Sequence, residues 1–96
     1  GEPISAQDAL RVGLVNAVVP AAAVMDEARR WADLICKRGP LAVRASKKAM
    51  TDGIEMALDD GLKLEQRLFF SLANTEDFKE GLDAFSRRAE PNFKGR

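Results

Sequence analysis

The residues of this 96-residue chain whose types and spacing could do chemistry gather at its end, in "EGLDAFSRRAEPNFKGR". A turn of amphipathic helix carrying Phe85 runs into Arg87 and Arg88, then Pro91, Phe93 and a basic close at Lys94 and Arg96. Over residues 87 to 96 these cations meet only Glu90. Such a segment suits an anionic ligand or a neighbouring chain; the other reading is an ordinary solvated terminus. The remaining inventory is poor in reactive groups. With no His and no Tyr, a Cys/His metal set and any Ser–His or Cys–His nucleophile are excluded. Neither G-x-G-x-x-G nor G-x-x-x-x-G-K-[ST] occurs. Carboxylates, lysines and arginines remain, so the chain by itself reads as a poor enzyme.

Composition narrows the classes further. Fifteen basic and fifteen acidic residues cancel, leaving no net field to gather nucleic acid or an acidic membrane surface. A hydrophobic share of 46% fits a globular protein. The length allows one ordinary domain at most. The lone Cys36 excludes an internal disulfide and suits a reducing, cytoplasmic compartment. No apolar run approaches the roughly 18 residues of a membrane span, and no signal-peptide pattern opens the chain. The sequence starts at Gly1 rather than Met, so the natural start and any targeting segment are expected upstream.

The elements that must carry the basic end are mostly helical. Ser5 with Asp8 three residues on reads as a helix N-cap and acidic first turn, and Gly13 as the stop. "LVNAVV", residues 14 to 19, alternates and is β-branched, so it is expected to form one short strand ended by Pro20. Its ladder partner must come from a segment not in this sequence or from another copy of the chain. A helix over 21 to 37 places Val24, Ala28, Trp31 and Ile35 on a core-facing stripe, with Cys36 beside it as a small buried or half-buried filler. Gly39-Pro40 breaks that helix, and Pro40 opens the next, at about 41 to 51. Its charged face holds Arg44, Lys47 and Lys48, read as solvated because no aromatics interleave for a nucleic acid. A longer helix over 54 to 73 buries Ile54, Leu58, Leu62, Phe69 and Leu72, widened by Leu64 and Leu68. Gly61 within it signals close packing, since it costs about 1 kcal/mol against alanine. Asn74 and Asp77 mark the last helix start, and Phe78, Leu82 and Phe85 form its packed face. Pro91 ends it, and "NFKGR" is expected to be extended.

Read as a pattern, "GEPISAQDALRVGLVNAVVP", "PLAVRASKKAM", "GLKLEQRLFFSLANTEDFKEGLDAF" and "PNFKGR" resemble, in register over the whole chain, the C-terminal segment of the crotonase family, the enoyl-CoA hydratases and isomerases. The resemblance implies a mainly α fold: the C-terminal helical region of a crotonase-like protein, four or five helices with one short orphan strand. Residues 1–20 would link to a catalytic core, and residues 21–96 would be the helical oligomerisation and lid domain. In that family the bond-making residues lie in a longer region of repeated ββα turns, with an oxyanion hole and one or two glutamates. Those positions fall before Gly1, none of the acids here matches them, and no catalytic or metal residue is assigned. Glu55, Asp59, Asp60 and Glu65 read as solvated helix faces.

The resemblance further implies contact with the CoA end of an acyl-CoA thioester, the substrate handle, with no covalently bound cofactor. Phe85 matches the family's aromatic, and Arg88 falls on its usual lysine; Ala89 replaces the usual arginine. Arg88 would hold phosphate through its planar fork. Phe85 has a second use on its own helix's packed face. The parent activity would concern the 2,3 double bond of an acyl-CoA, as in fatty-acid oxidation. Hydration is the commonest form; isomerisation and related chemistry stay open. Partners would be copies of the chain, as a trimer or hexamer of the intact enzyme, with no nucleic acid and no membrane. The competing reading is a stand-alone, non-catalytic helical assembly module, and either reading leads to self-association of the 96-residue chain.

Overall fold

The computed structural model describes all residues from Gly1 to Arg96. The chain folds as two compact units, Gly1–Ala32 and Asp33–Arg96. Five α-helices and one short 3-10 turn make up its regular structure: α1 (Ala6–Arg11), the 3-10 turn (Ala21–Ala23), α2 (Val24–Cys36), α3 (Pro40–Gly53), α4 (Leu58–Leu72) and α5 (Glu76–Arg87). The mainly helical expectation holds. The divide between the units falls inside α2.

In the first unit, α1 begins as its sequence dictates. The Ser5 hydroxyl accepts the Asp8 amide at 3.0 Å and donates to the Asp8 carboxylate at 2.7 Å, satisfying an otherwise orphaned donor. Gly13 takes φ +77°, a conformation that a side chain would strain. The Leu14 amide then reaches back to the Ala9 carbonyl at 2.8 Å, and the Gly13 amide to Leu10 at 3.1 Å. This is the glycine-stopped helix end with its two back-reaching bonds.

Residues 14 to 19 form no strand. The alternation is present, but residues 1–96 offer no second strand, and a ladder needs two. The stripe on α2 is also uncovered: Val24, Trp31 and Ile35 are all exposed, and so is Cys36, which is no buried filler. The helical spacing is right, but nothing in this chain lies over it.

In the second unit, α3 and α4 are the one extensively packed helix pair. Pro40 occupies the first turn of α3, where its missing N–H costs nothing. A turn at residues 54–56 closes α3, and Ala57, extended at φ −60° and ψ 147°, resets the chain for α4. The helix expected from Ile54 therefore starts at Leu58, leaving Ile54 on the turn. Gly61 lies against Gly53: a Cβ added to Gly61 would sit 3.4 Å from the Gly53 carbonyl oxygen. That is the close approach its presence in a helix implied. Leu64 is buried and Leu68 and Leu72 half-buried, while Leu58, Leu62 and Phe69 of the expected core stripe remain exposed.

Buried apolar residues are few: Ala9, Leu64 and Ala84, and no large side chain is wholly buried.

Candidate functional site

The basic end is built on α5. Thr75, one residue later than the expected Asn74, caps this helix: its hydroxyl accepts the Phe78 amide at 3.1 Å. Glu76 and Asp77 place acids in the first turn and Arg87 a base in the last, the order the helix dipole favours. The far end closes through Arg88, which adopts φ 54° and ψ 39°, a left-handed conformation that glycine usually supplies. Its amide donates to the Phe85 carbonyl at 3.1 Å, and the Ala89 amide to Ala84 at 2.9 Å.

Which face of α5 is buried differs from the sequence expectation. Phe78, Leu82 and Phe85 were expected to pack together. Phe78 is half-buried, edge-on to Phe69 with ring centroids 6.1 Å apart. Leu82 is exposed, and Phe85 is 86% exposed. The buried line is instead Asp77 and Ala84, with Gly81 half-buried between them. The reason is the tail. Residues 91–96 have no regular structure and run back along Asp77 and Gly81, with Gly95 at φ +75°. The Asp77 carboxylate accepts the Lys94 and Gly95 amides, and the Arg96 carbonyl accepts the Asp77 amide at 3.1 Å.

The cations separate accordingly. Arg87 is paired with Asp83 at 2.8 Å and Arg96 with Glu76 at 2.9 Å. Arg88 makes no ion pair, and neither does Lys94. Phe85, on the last turn of α5, and Arg88, the left-handed residue that caps it, are the two residues assigned to CoA; both are exposed, and the guanidinium makes no ion pair. An exposed aromatic face beside a free planar cation can take a base and a phosphate.

The carboxylates with altered acidity are all pulled down and all lie on helix surfaces. Hydrogen bonds from Arg30, then Trp31, hold Glu27 at about 2. Asp8 is lowered chiefly by Arg11, and Asp52 by Lys48, 2.5 Å away. A carboxylate held down in this way is a poor proton carrier near neutral pH. Glu55, Asp59, Asp60 and Glu65 are exposed, as are Arg44 and Lys47. No group of three His, Cys, Asp or Glu side chains is placed to hold a metal, and no helix is long and apolar enough to cross a membrane. Between α3 and α4 runs an open apolar groove of about 920 Å³, floored by Ala45, Ala49 and Gly53 and flanked by Ile54, Leu62 and Phe69.

Comparison with known proteins decides the family. Residues 1–96 match the family described as enoyl-CoA hydratase/isomerase. The chain belongs to the enoyl-CoA hydratase/isomerase family. It is similar to the (E)-benzylidenesuccinyl-CoA hydratase of Thauera aromatica, 45% identical over 99% of this chain and 37% of that one. To the 2,3-dehydroadipyl-CoA hydratase of Escherichia coli it is 43% identical, over 100% of this chain and 38% of the relative. Among solved structures, an enoyl-CoA hydratase/isomerase from Mycobacterium paratuberculosis superposes with a TM-score of 0.95 at 32% identity, over 99% of this chain and 37% of that one. An enoyl-CoA hydratase from Bacillus anthracis gives 0.93 at 40% identity, over 97% and 36%. The chain thus spans little more than a third of these relatives' length, as a helical piece of the crotonase fold.

The sequence missed Asp77's hold on the tail. It was legible as a helix-start acid, but its partners are 17 and 18 residues away, and no local pattern announces them.

Proposed function

We propose that the chain is the C-terminal, CoA-contacting and assembly part of an enzyme acting on the 2,3 double bond of acyl-CoA thioesters, of the fatty-acid-oxidation type, with hydration as the reaction. The observation that carries this reading is the family match over the entire chain, joined to an exposed Phe85 and an unpaired Arg88 at the C-terminal end of α5. Both relatives named above are acyl-CoA hydratases. On this reading Arg88 binds a phosphate of CoA by charge-assisted hydrogen bonds, and Phe85 offers a face to the adenine. Neither moves a proton. The bond-making groups lie on polypeptide corresponding to the relatives' remaining length, and the 96-residue chain alone is inactive.

The uncovered stripes and the α3–α4 groove support the assembly role: they are the faces over which other polypeptide packs, as subunit joint and acyl-pocket cover. In the intact enzyme this gives a trimer or hexamer, in a reducing cytoplasmic compartment. In the isolated chain it gives self-association, so sedimentation showing a compact monomer at micromolar concentration contradicts it. A stand-alone assembly module shares those uncovered faces, but it gives Arg88 no ligand.

A chimera separates the readings. The corresponding segment of the Escherichia coli relative is replaced by this chain, and hydration is assayed with and without Arg88→Glu. The proposal requires an active chimera in which Arg88→Glu raises KM for the acyl-CoA far more than it lowers kcat. A folded, active chimera indifferent to Arg88→Glu contradicts the CoA contact.

A further inference from the structure

Within Asp33–Arg96, α5 owes little of its position to its own apolar stripe, which is mostly exposed. Beyond the Phe69–Phe78 contact, it is tied to the start of α3 by the folded-back tail. Phe93 is the shared piece. A Cβ placed on Gly39, before α3, would lie 3.6 Å from its ring, and one on Gly81 of α5 would lie 3.5 Å away. The ring therefore rests on backbone at both positions. Gly95 in turn backs onto Pro40: a Cβ placed on it would lie 3.7 Å from the proline ring.

Asp77 holds this tail down. At 6% exposure it is the one buried charged residue of the chain. Its Oδ1 accepts the Lys94 amide at 2.6 Å and its Oδ2 the Gly95 amide at 2.7 Å. Its own amide, an orphan donor of the first helical turn, donates to the Arg96 carbonyl at 3.1 Å. Two flanking bonds complete the seam: the Asn92 amide to Glu80 at 2.9 Å, and Arg96 Nε to Glu76 at 2.9 Å. Two neighbouring N–H donors need two acceptor oxygens on a short stem. Asparagine has one such oxygen, and glutamate reaches a methylene too far.

We infer that Asp77 is the lock of a C-terminal strap: its carboxylate pins residues 94–96, the strap wedges Phe93 between α3 and α5, and α5 is thereby positioned. Asp77 is a positioning residue. Its consequence for Phe85 and Arg88, carried at the other end of α5, rests on the CoA reading above; the lock itself does not.

The test is amide hydrogen exchange and proton–proton NMR contacts on the labelled 96-residue chain, without CoA. In the wild type the Lys94 and Gly95 amides are protected, and the Phe93 ring shows contacts to both Gly39 and Gly81. Asp77→Asn loses one charge-assisted bond, so these two amides exchange about 10- to 100-fold faster and the Phe93–Gly39 contact disappears. The α3–α4 amides around Gly53 and Gly61 keep their protection. Phe93→Ala, which leaves Asp77 in place, keeps part of the Lys94 and Gly95 protection while α5 loosens from α3.

Free-peptide exchange at Lys94 and Gly95 in the wild type overturns the inference. So does Asp77→Asn with Phe93 still seated, or with α3–α4 protection falling in equal measure, which marks a general loss of structure. A strap that behaves as stated in a chimera indifferent to Arg88→Glu leaves the lock standing and removes the CoA reading.

Discussion

Replacing Arg88 by glycine should stabilise the protein while removing its proposed ligand contact. Arg88 sits at φ 54°, ψ 39° as the residue that ends α5. A side chain in the left-handed region costs about 1–2 kcal/mol, and glycine there costs nothing sterically. Glycine's looser unfolded chain returns about 0.4–1 kcal/mol of that, leaving a net gain near 1 kcal/mol. The clean comparison is Arg88→Gly against Arg88→Ala, since both delete the guanidinium. Arg88 makes no ion pair in the folded chain, so no lost contact confounds the pair. One kcal/mol corresponds to about 4–8 °C in Tm for a domain of this size. Thermal unfolding followed by far-ultraviolet circular dichroism, at one fixed protein concentration, should rank glycine above alanine by that margin. In the active chimera both should raise KM for acyl-CoA alike, while Arg88→Lys keeps most of the contact. Equal Tm values for Gly and Ala would refute the strain argument. Unequal KM values would show that backbone shape, rather than the guanidinium, governs binding.

Two further outcomes follow from the surface and the helix crossing. Glu27 titrates near 2 in the folded chain against an ordinary 4.5, so its contribution is present above pH 4.5 and is lost as the pH falls from there through 2. A carboxyl-carbon NMR titration should give that low midpoint, and Glu27→Gln should abolish the acid-side loss of α2 helicity. Gly61→Ala should change stability by less than about 0.5 kcal/mol, because helix propensity gains up to about 1 kcal/mol while its Cβ crowds the Gly53 carbonyl. Gly61→Leu should wedge α3 from α4 and cost about 1–3 kcal/mol in denaturant unfolding.

Local chemistry was legible in the sequence wherever partners are close along the chain. Ser5 and Asp8, Gly13, Pro40 and the Gly61 crossing all do what their residue types dictate. The family pattern gave the helical character. Burial was less legible. The spacing of Val24, Trp31 and Ile35 shows a face that needs cover, but says nothing of whether this chain supplies it. The same holds for residues 14 to 19, whose alternation is strand-like while no ladder partner exists within residues 1–96. On α5 the sequence pointed to Phe78, Leu82 and Phe85 as the packed face. The tail instead bonds to Asp77 and sets Phe93 against Gly81, and a carboxylate meeting two backbone amides far away in sequence leaves no periodic trace. Tail composition misled in a related way: four cations suggested a free basic end, yet Arg87 and Arg96 are spent on Asp83 and Glu76.

The central claim is that these helices hold and cover an acyl-CoA while bond-making belongs to other polypeptide. The direct measurement is hydration of crotonyl-CoA by the purified 96-residue chain, followed against a full-length hydratase of the same family. The account predicts no turnover above the uncatalysed rate, at any concentration at which the chain self-associates. Turnover by the chain alone would contradict it, because a complete proton-transfer pair and carbonyl-polarising amides would then have to lie within residues 1–96.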